Sequence, residues 1–192
     1  MFNTKSGRNI SYYGNEYTKE IQRRNGNNCK IKTIDELFEI LLEVWCRETA
    51  YPSCQKEYVQ KNDPTYGQCA ITAMLVYDMF GGTIHKIRVS GGGTHYFNKI
   101  NKHYIDLTSD QFDLYNIYVD YSNNELVKRE YCGKNADTLK RYKLLVQAID
   151  NKVNIEEYVP IMLEELRAVK NGKSLLVAKN YKWKSVRRKG VR

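Results

Sequence analysis

Apolar residues recur at helical spacing from Ile34 to Trp45, through Leu37, Phe38, Leu41 and Leu42, directly after Thr33-Ile34-Asp35-Glu36, which matches a capping box. This pattern predicts an amphipathic first helix. A polar stretch with Tyr51-Pro52 and Asp63-Pro64 follows, and each proline disfavours helix at the residue before it, so a loop is expected to lead into Cys69. Ala70 to Phe80 is apolar on nearly every side and stops at Gly81-Gly82, which reads as a buried helix with a glycine C-cap. Thr83 to Ser90, Thr94 to Ile100 and His103 to Leu107 are short and rich in Ile, Val, Tyr and Phe. Separated by Gly91-Gly92-Gly93 and Asn101-Lys102, they read as antiparallel strands. Asp137 to Ile149 and Ile155 to Val169 predict two further helices, and no internal repeat is evident.

The 192 residues suffice for one domain with a sizeable core and are few for two. The composition, 42% hydrophobic with 16 Tyr, favours a core built partly from rings that carry one polar atom. The expected organisation is a polar N-terminal arm over 1–30, a core domain over 31–149, a C-terminal helix over 150–169 and a basic tail over 170–192. Charge divides in the same way. Residues 167–192 hold ten Lys/Arg and no Asp/Glu, and 1–30 hold six against two, while 31–166 hold fifteen against twenty. The net charge of +9 therefore belongs to the ends. The tail, with Tyr181 and Trp183 among its cations, has the composition of a nucleic-acid or acidic-surface contact and equally that of a solubilising extension. No apolar run approaches the roughly 18 residues needed to span a bilayer, and the first thirty residues lack a signal-peptide core. No membrane partner and a cytoplasmic location are expected; oligomeric state is not legible.

Five cysteines, Cys29, Cys46, Cys54, Cys69 and Cys132, form no Cys-x-x-Cys pair and have no His at zinc-finger spacing, so neither a metal site nor a disulfide framework is indicated. One of them sits in a chemical pattern. Thiol attack on an amide needs a thiolate, an imidazole to hold it and later protonate the leaving group, and an acceptor to orient that imidazole. Cys69 opens the buried helix, where the helix dipole favours the anion; His95 follows the glycine loop; Asp106 ends the next strand.

The same residues bring a family into view. Trp45-x-x-Glu48-Thr49, Asp63-Pro64-x-Tyr66-Gly67-Gln68-Cys69-Ala70-x-Thr72-Ala73, Phe80-Gly81-Gly82, His95-Tyr96-x-Asn98 and Ile105-Asp106-Leu107-Thr108-x-x-Gln111-Phe112 resemble the small YunG-like bacterial family. The resemblance covers roughly Ile31 to Gln147 and includes Arg141-Tyr142-x-Leu144-Leu145; His103 departs from it, in a turn where a small residue is expected. The order of Cys, His and Asp also looks like the core of papain-like and transglutaminase-like thiol enzymes. It implies an α+β fold in which the Cys-bearing helix packs on a small antiparallel sheet, with no cofactor required.

Cys69, His95 and Asp106 are the expected triad, ahead of a structural thiol, a backbone-bonded strand histidine and a turn-capping carboxylate. His85 and His103 are the competing bases. Gln68 is the side chain nearest the nucleophile for holding an oxyanion, beside the Cys69 backbone N–H. Tyr66, Trp45, Tyr96 and Asn98 are candidates for lining the cleft, although a tryptophan on the apolar face of a helix more often belongs to the core. The expected reaction is acyl transfer from a protein or peptide-like amide, of peptidase, deamidase, amidase or transglutaminase type. The alternative is an inactive scaffold whose basic ends bind nucleic acid or an acidic partner.

Overall fold

A computed structural model describes residues 2–24, 30–59, 62–89 and 93–153, all within one compact unit, Met1–Tyr158. Cys29, most of the expected helix over 150–169 and the basic tail over 170–192 lie outside the described residues.

The N-terminal segment, expected as a polar arm, is packed. Strands β1 (Phe2–Asn3) and β2 (Asn9–Ile10) pair antiparallel, and Ile10, Tyr12 and Ile21 are buried. The departure has a physical reason: rings replace the missing aliphatics. Phe2 and Tyr12 meet Phe38 edge-on at 4.9 and 4.7 Å, and the Tyr12 hydroxyl donates to Asp35. An aromatic ring buries a large area while its hydroxyl stays paired, so a segment poor in Leu and Val still docks.

Helix α1 (Ile34–Val44) starts at the expected box: Thr33 Oγ1 accepts the Glu36 N–H at 3.2 Å and Glu36 Oε2 accepts the Thr33 N–H at 3.0 Å. Helix α2 (Cys69–Phe80) is buried along most of its length and ends at Gly81 and Gly82, with φ of +80° and +76°. A Cβ on Gly82 would stand 2.2 Å from the Lys99 carbonyl oxygen, so glycine permits both the turn and the close passage of the chain.

The strands β3 (Thr83–Arg88), β4 (Thr94–Ile100), β5 (His103–Ile105) and β6 (Glu125–Val127) form one antiparallel sheet in the order β5-β4-β3-β6. Asn101 and Lys102 take φ of +48° and +73°, the left-handed pair that a two-residue hairpin requires. Helix α2 packs on β4, and helix α5 (Ala136–Val153) packs on α1 and α2 through Tyr142, Leu145, Val146 and Ile149. The sequence pattern does not predict α3 (Asp110–Asp113), β6 or α4 (Arg129–Gly133), elements too short to show a period. The fold is mixed α+β with small antiparallel sheets. No helix among the described residues is long and apolar enough to cross a membrane.

Candidate active site

Cys69 is the first residue of α2 and lies half-buried on the wall of a cleft of about 950 Å³. The loop before it is tied down at Gly67, whose carbonyl accepts the Tyr51 N–H at 2.8 Å. With φ at +71°, Gly67 sits so close to the Tyr51–Cys54 turn that a Cβ would stand 2.8 Å from the Cys54 Cβ. Position one of a helix leaves the backbone N–H groups of the first turn without intrahelical partners, and their dipoles favour an anion there.

His95 and Asp106, from β4 and the end of β5, are 2% and 1% exposed. His95 Nε2 meets Asp106 Oδ2 at 2.5 Å, and the ring also hydrogen-bonds the Cys69 thiol, for which Nδ1 is the remaining nitrogen. The ring is boxed by Phe97, stacked at 6.3 Å, and Phe112, edge-on at 4.6 Å. Asp106 is the most heavily bonded group in the site: Oδ1 accepts the Thr108 N–H and hydroxyl at 2.9 and 2.8 Å, and Oδ2 also accepts the Tyr121 hydroxyl at 2.8 Å.

These contacts set the charges. Burial alone would lower His95, but the Asp106 carboxylate and the Cys69 sulfur push it up to about 10. Burial alone would raise Cys69, yet the His95 hydrogen bond and charge, with the Tyr96 N–H, hold it below the ordinary thiol value. Burial would raise Asp106 as well, and His95, Tyr121 and Thr108 keep it below the usual carboxylate range. Near neutrality the arrangement favours thiolate, imidazolium and carboxylate in a row.

The other sequence candidates divide. Tyr66 and Tyr96 line the cleft. Gln68, Trp45 and Asn98 do not, and for each the reason is a bond made inside the protein. Gln68 is fully buried and gives its Nε2–H to the Cys46 carbonyl at 3.0 Å. Trp45 is also fully buried, and its indole N–H donates to Thr72 Oγ1 at 3.2 Å between α1 and α2. Asn98 is 2% exposed and fastens β4 to α2 by donating to the Ala73 carbonyl at 3.0 Å. Both competing histidines are engaged away from the thiol: His85 with Thr83 and Asn124, His103 stacked on Tyr17 at 3.9 Å. Sequence reasoning missed Tyr121 and Phe112 as supports of the dyad. Thr108, two residues after Asp106, is the one support whose spacing signals it, because Asp-x-Thr is an Asx-turn pattern. No group of three or more His, Cys, Asp or Glu side chains among the described residues is placed to hold a metal ion.

A family model described as "YunG protein" matches residues 33–154, well over half of the chain, with Cys69, His95, Asp106 and Tyr121 inside the span. A curated protein of Bacillus subtilis (strain 168), "Uncharacterized protein YunG", is 49% identical over 49 residues, which is 26% of this chain and 42% of that protein. The match thus spans less than half the length of that relative. No solved structure gives a significant match.

Proposed function

The chain belongs to the YunG family, and we propose that it is a cysteine-nucleophile acyl-transfer enzyme with a papain-like or transglutaminase-like core. The observation that carries this reading is the continuous contact from the thiol at the start of α2 through His95 to Asp106, closed by the 2.5 Å His95 Nε2 to Asp106 Oδ2 bond. A structural cysteine requires neither a buried imidazole nor a carboxylate behind it.

In the proposed reaction the Cys69 thiolate attacks an amide carbonyl carbon. The S–C bond forms and the carbonyl electrons move to oxygen, where the open N–H groups of the first turn of α2, beginning with that of Cys69, stabilise the charge. His95 gives its Nδ1 proton to the departing amine as the C–N bond breaks, leaving a thioester. An acceptor, water or an amine, then loses a proton to His95, attacks the thioester and restores the thiolate. Asp106 keeps Nε2–H engaged, so the proton that moves is the one facing sulfur.

The test is the pH dependence of iodoacetamide labelling at each cysteine, read by mass spectrometry in wild type and His95→Ala. Selective labelling of Cys69 well below the ordinary thiol pKa of about 8.5, lost in His95→Ala, is the expected result. Cys69 labelling like an ordinary thiol in both proteins overturns the reading.

A further inference from the structure

The cleft over Cys69 encloses about 950 Å³, at the upper end of the roughly 300–1,000 Å³ of small-molecule pockets. Five tyrosines line it: Tyr51, Tyr66, Tyr96, Tyr115 and Tyr131. Three of them stay largely in water, Tyr51 and Tyr131 at 53% and Tyr115 at 60% exposed. A ring left half in solvent at a cleft mouth fills no core. It offers apolar area with a polar tip, the side chain enriched where proteins grip other chains. A rim of this kind suits a ligand that runs out of the cleft, whereas a small amide is enclosed by its pocket.

Charge adds a second constraint. Residues 31–166 carry twenty Asp/Glu against fifteen Lys/Arg, yet among the described residues no Asp or Glu lines this cleft, while Lys134 and Arg141 do. Arg141 is buried and engaged by Asp137 at 2.8 Å, the Thr49 carbonyl and Thr138 Oγ1, whereas Lys134 is exposed at the rim. The His95 proton is offset by the Cys69 sulfur and the Asp106 carboxylate, so the positive charge the cleft presents to a ligand is that of Lys134 at the rim, which favours anionic segments there and disfavours cationic ones. A neighbouring groove of about 290 Å³ at β6 shares Tyr131 and Lys134 with the cleft and presents Leu126, 67% exposed. Its charges are mixed, so selection for acid belongs to the cleft itself.

We infer that the acyl donor is a polypeptide segment with acidic side chains beside the reacting amide, gripped at the rim by Tyr131 and Lys134. The inference rests on the thiol-enzyme reading above and specifies its substrate class.

The experiment compares two peptidyl chloromethyl ketones that differ only in an Asp or Lys flanking the warhead, with iodoacetamide as the small neutral reference. In each case the thiolate forms one S–C bond and the carbon–halogen bond breaks with loss of halide. Intact mass follows the rate at Cys69. The expected result is an Asp-flanked probe about tenfold faster than the Lys-flanked one at low salt, with the ratio shrinking in about 0.5 M NaCl and in Lys134→Glu. In Tyr131→Ala both peptide rates fall several-fold relative to iodoacetamide. Equal rates for the two peptides, or peptides no faster than iodoacetamide, overturn the inference while the thiol site stands. Failure of all three reagents to reach Cys69 selectively at about pH 6 overturns the enzyme reading instead.

Discussion

The Tyr121 hydroxyl donates to Asp106 Oδ2 at 2.8 Å, the same oxygen that takes the His95 Nε2–H. One carboxylate oxygen is therefore shared between the dyad and a tyrosine fifteen residues further along the chain. The donor keeps Asp106 ionised, so Tyr121→Phe raises the Asp106 carboxyl toward its ordinary range. A hydrogen bond to a charged group contributes about 1.5–3 kcal/mol, enough to move a pH profile measurably. The acid-side loss of Cys69 labelling begins at higher pH in Tyr121→Phe than in wild type. Superimposable profiles would show that Tyr121 serves packing alone.

The thiolate-imidazolium pair makes a prediction for stability. Unfolded, between about pH 6.5 and 8.5 the pair holds one proton, on sulfur; folded, it holds one on His95, so its contribution is level there. Below about 6.5 the unfolded chain binds a second proton and stability falls with falling pH. Above about 8.5 the unfolded pair holds none, while His95 keeps its proton until about 10, so stability falls by about 1.4 kcal/mol per pH unit. Cys69→Ser removes the thiolate while Asp106 still holds His95 up. Its alkaline decline therefore starts near pH 6.5, about two units earlier. Urea unfolding of both proteins across this range checks the point, and coincident curves would mean that sulfur and imidazole do not share a proton.

Gln68→Ala separates packing from a role at the thiol. The amide is sealed against the Cys46 carbonyl, which also accepts from Thr49 and Ala50, so its loss removes one hydrogen bond and leaves a small cavity, at a cost of about 1–3 kcal/mol. The expected variant melts earlier with an unchanged Cys69 pH midpoint. A shifted midpoint with unchanged melting would return Gln68 to the reacting atoms.

What was legible in the sequence, and what was not, follows from how far each signal reaches. Cys69, His95 and Asp106 sit at ends of elements that periodicity and glycine punctuation delimit, so their order along the chain translated into proximity. Gln68, Trp45 and Asn98 were chosen for being near those residues, but side-chain direction is decided by tertiary partners: Cys46, Thr72 and Ala73 turn all three inward. Tyr121 lies in an aperiodic loop and carries no local signal at all. Residues 2–24 looked peripheral because aliphatic content is a poor guide where Phe2 and Tyr12 do the burying.

That N-terminal segment lies outside the span matched by the family model, yet it reaches the candidate site. The Asp106 N–H donates to the Tyr13 carbonyl at 3.0 Å, the Tyr13 N–H donates to Ser109 Oγ at 2.9 Å, and the Tyr13 ring stacks on Tyr121 at 4.0 Å. The first two contacts use backbone atoms of Tyr13 and survive a side-chain change; the third does not. Tyr13→Ala thus removes the stack while leaving the bridge, a loss of about 0.5–1.5 kcal/mol beyond area burial, or a few degrees in Tm. Because the Tyr121 hydroxyl is then less firmly aimed at Asp106, the acid limb of Cys69 labelling moves in the same direction as in Tyr121→Phe, by a smaller amount. The double variant is the decisive measurement: if Tyr13 acts through Tyr121, adding Tyr13→Ala to Tyr121→Phe shifts the limb no further. An additive shift would show that Tyr13 reaches Asp106 by a separate route.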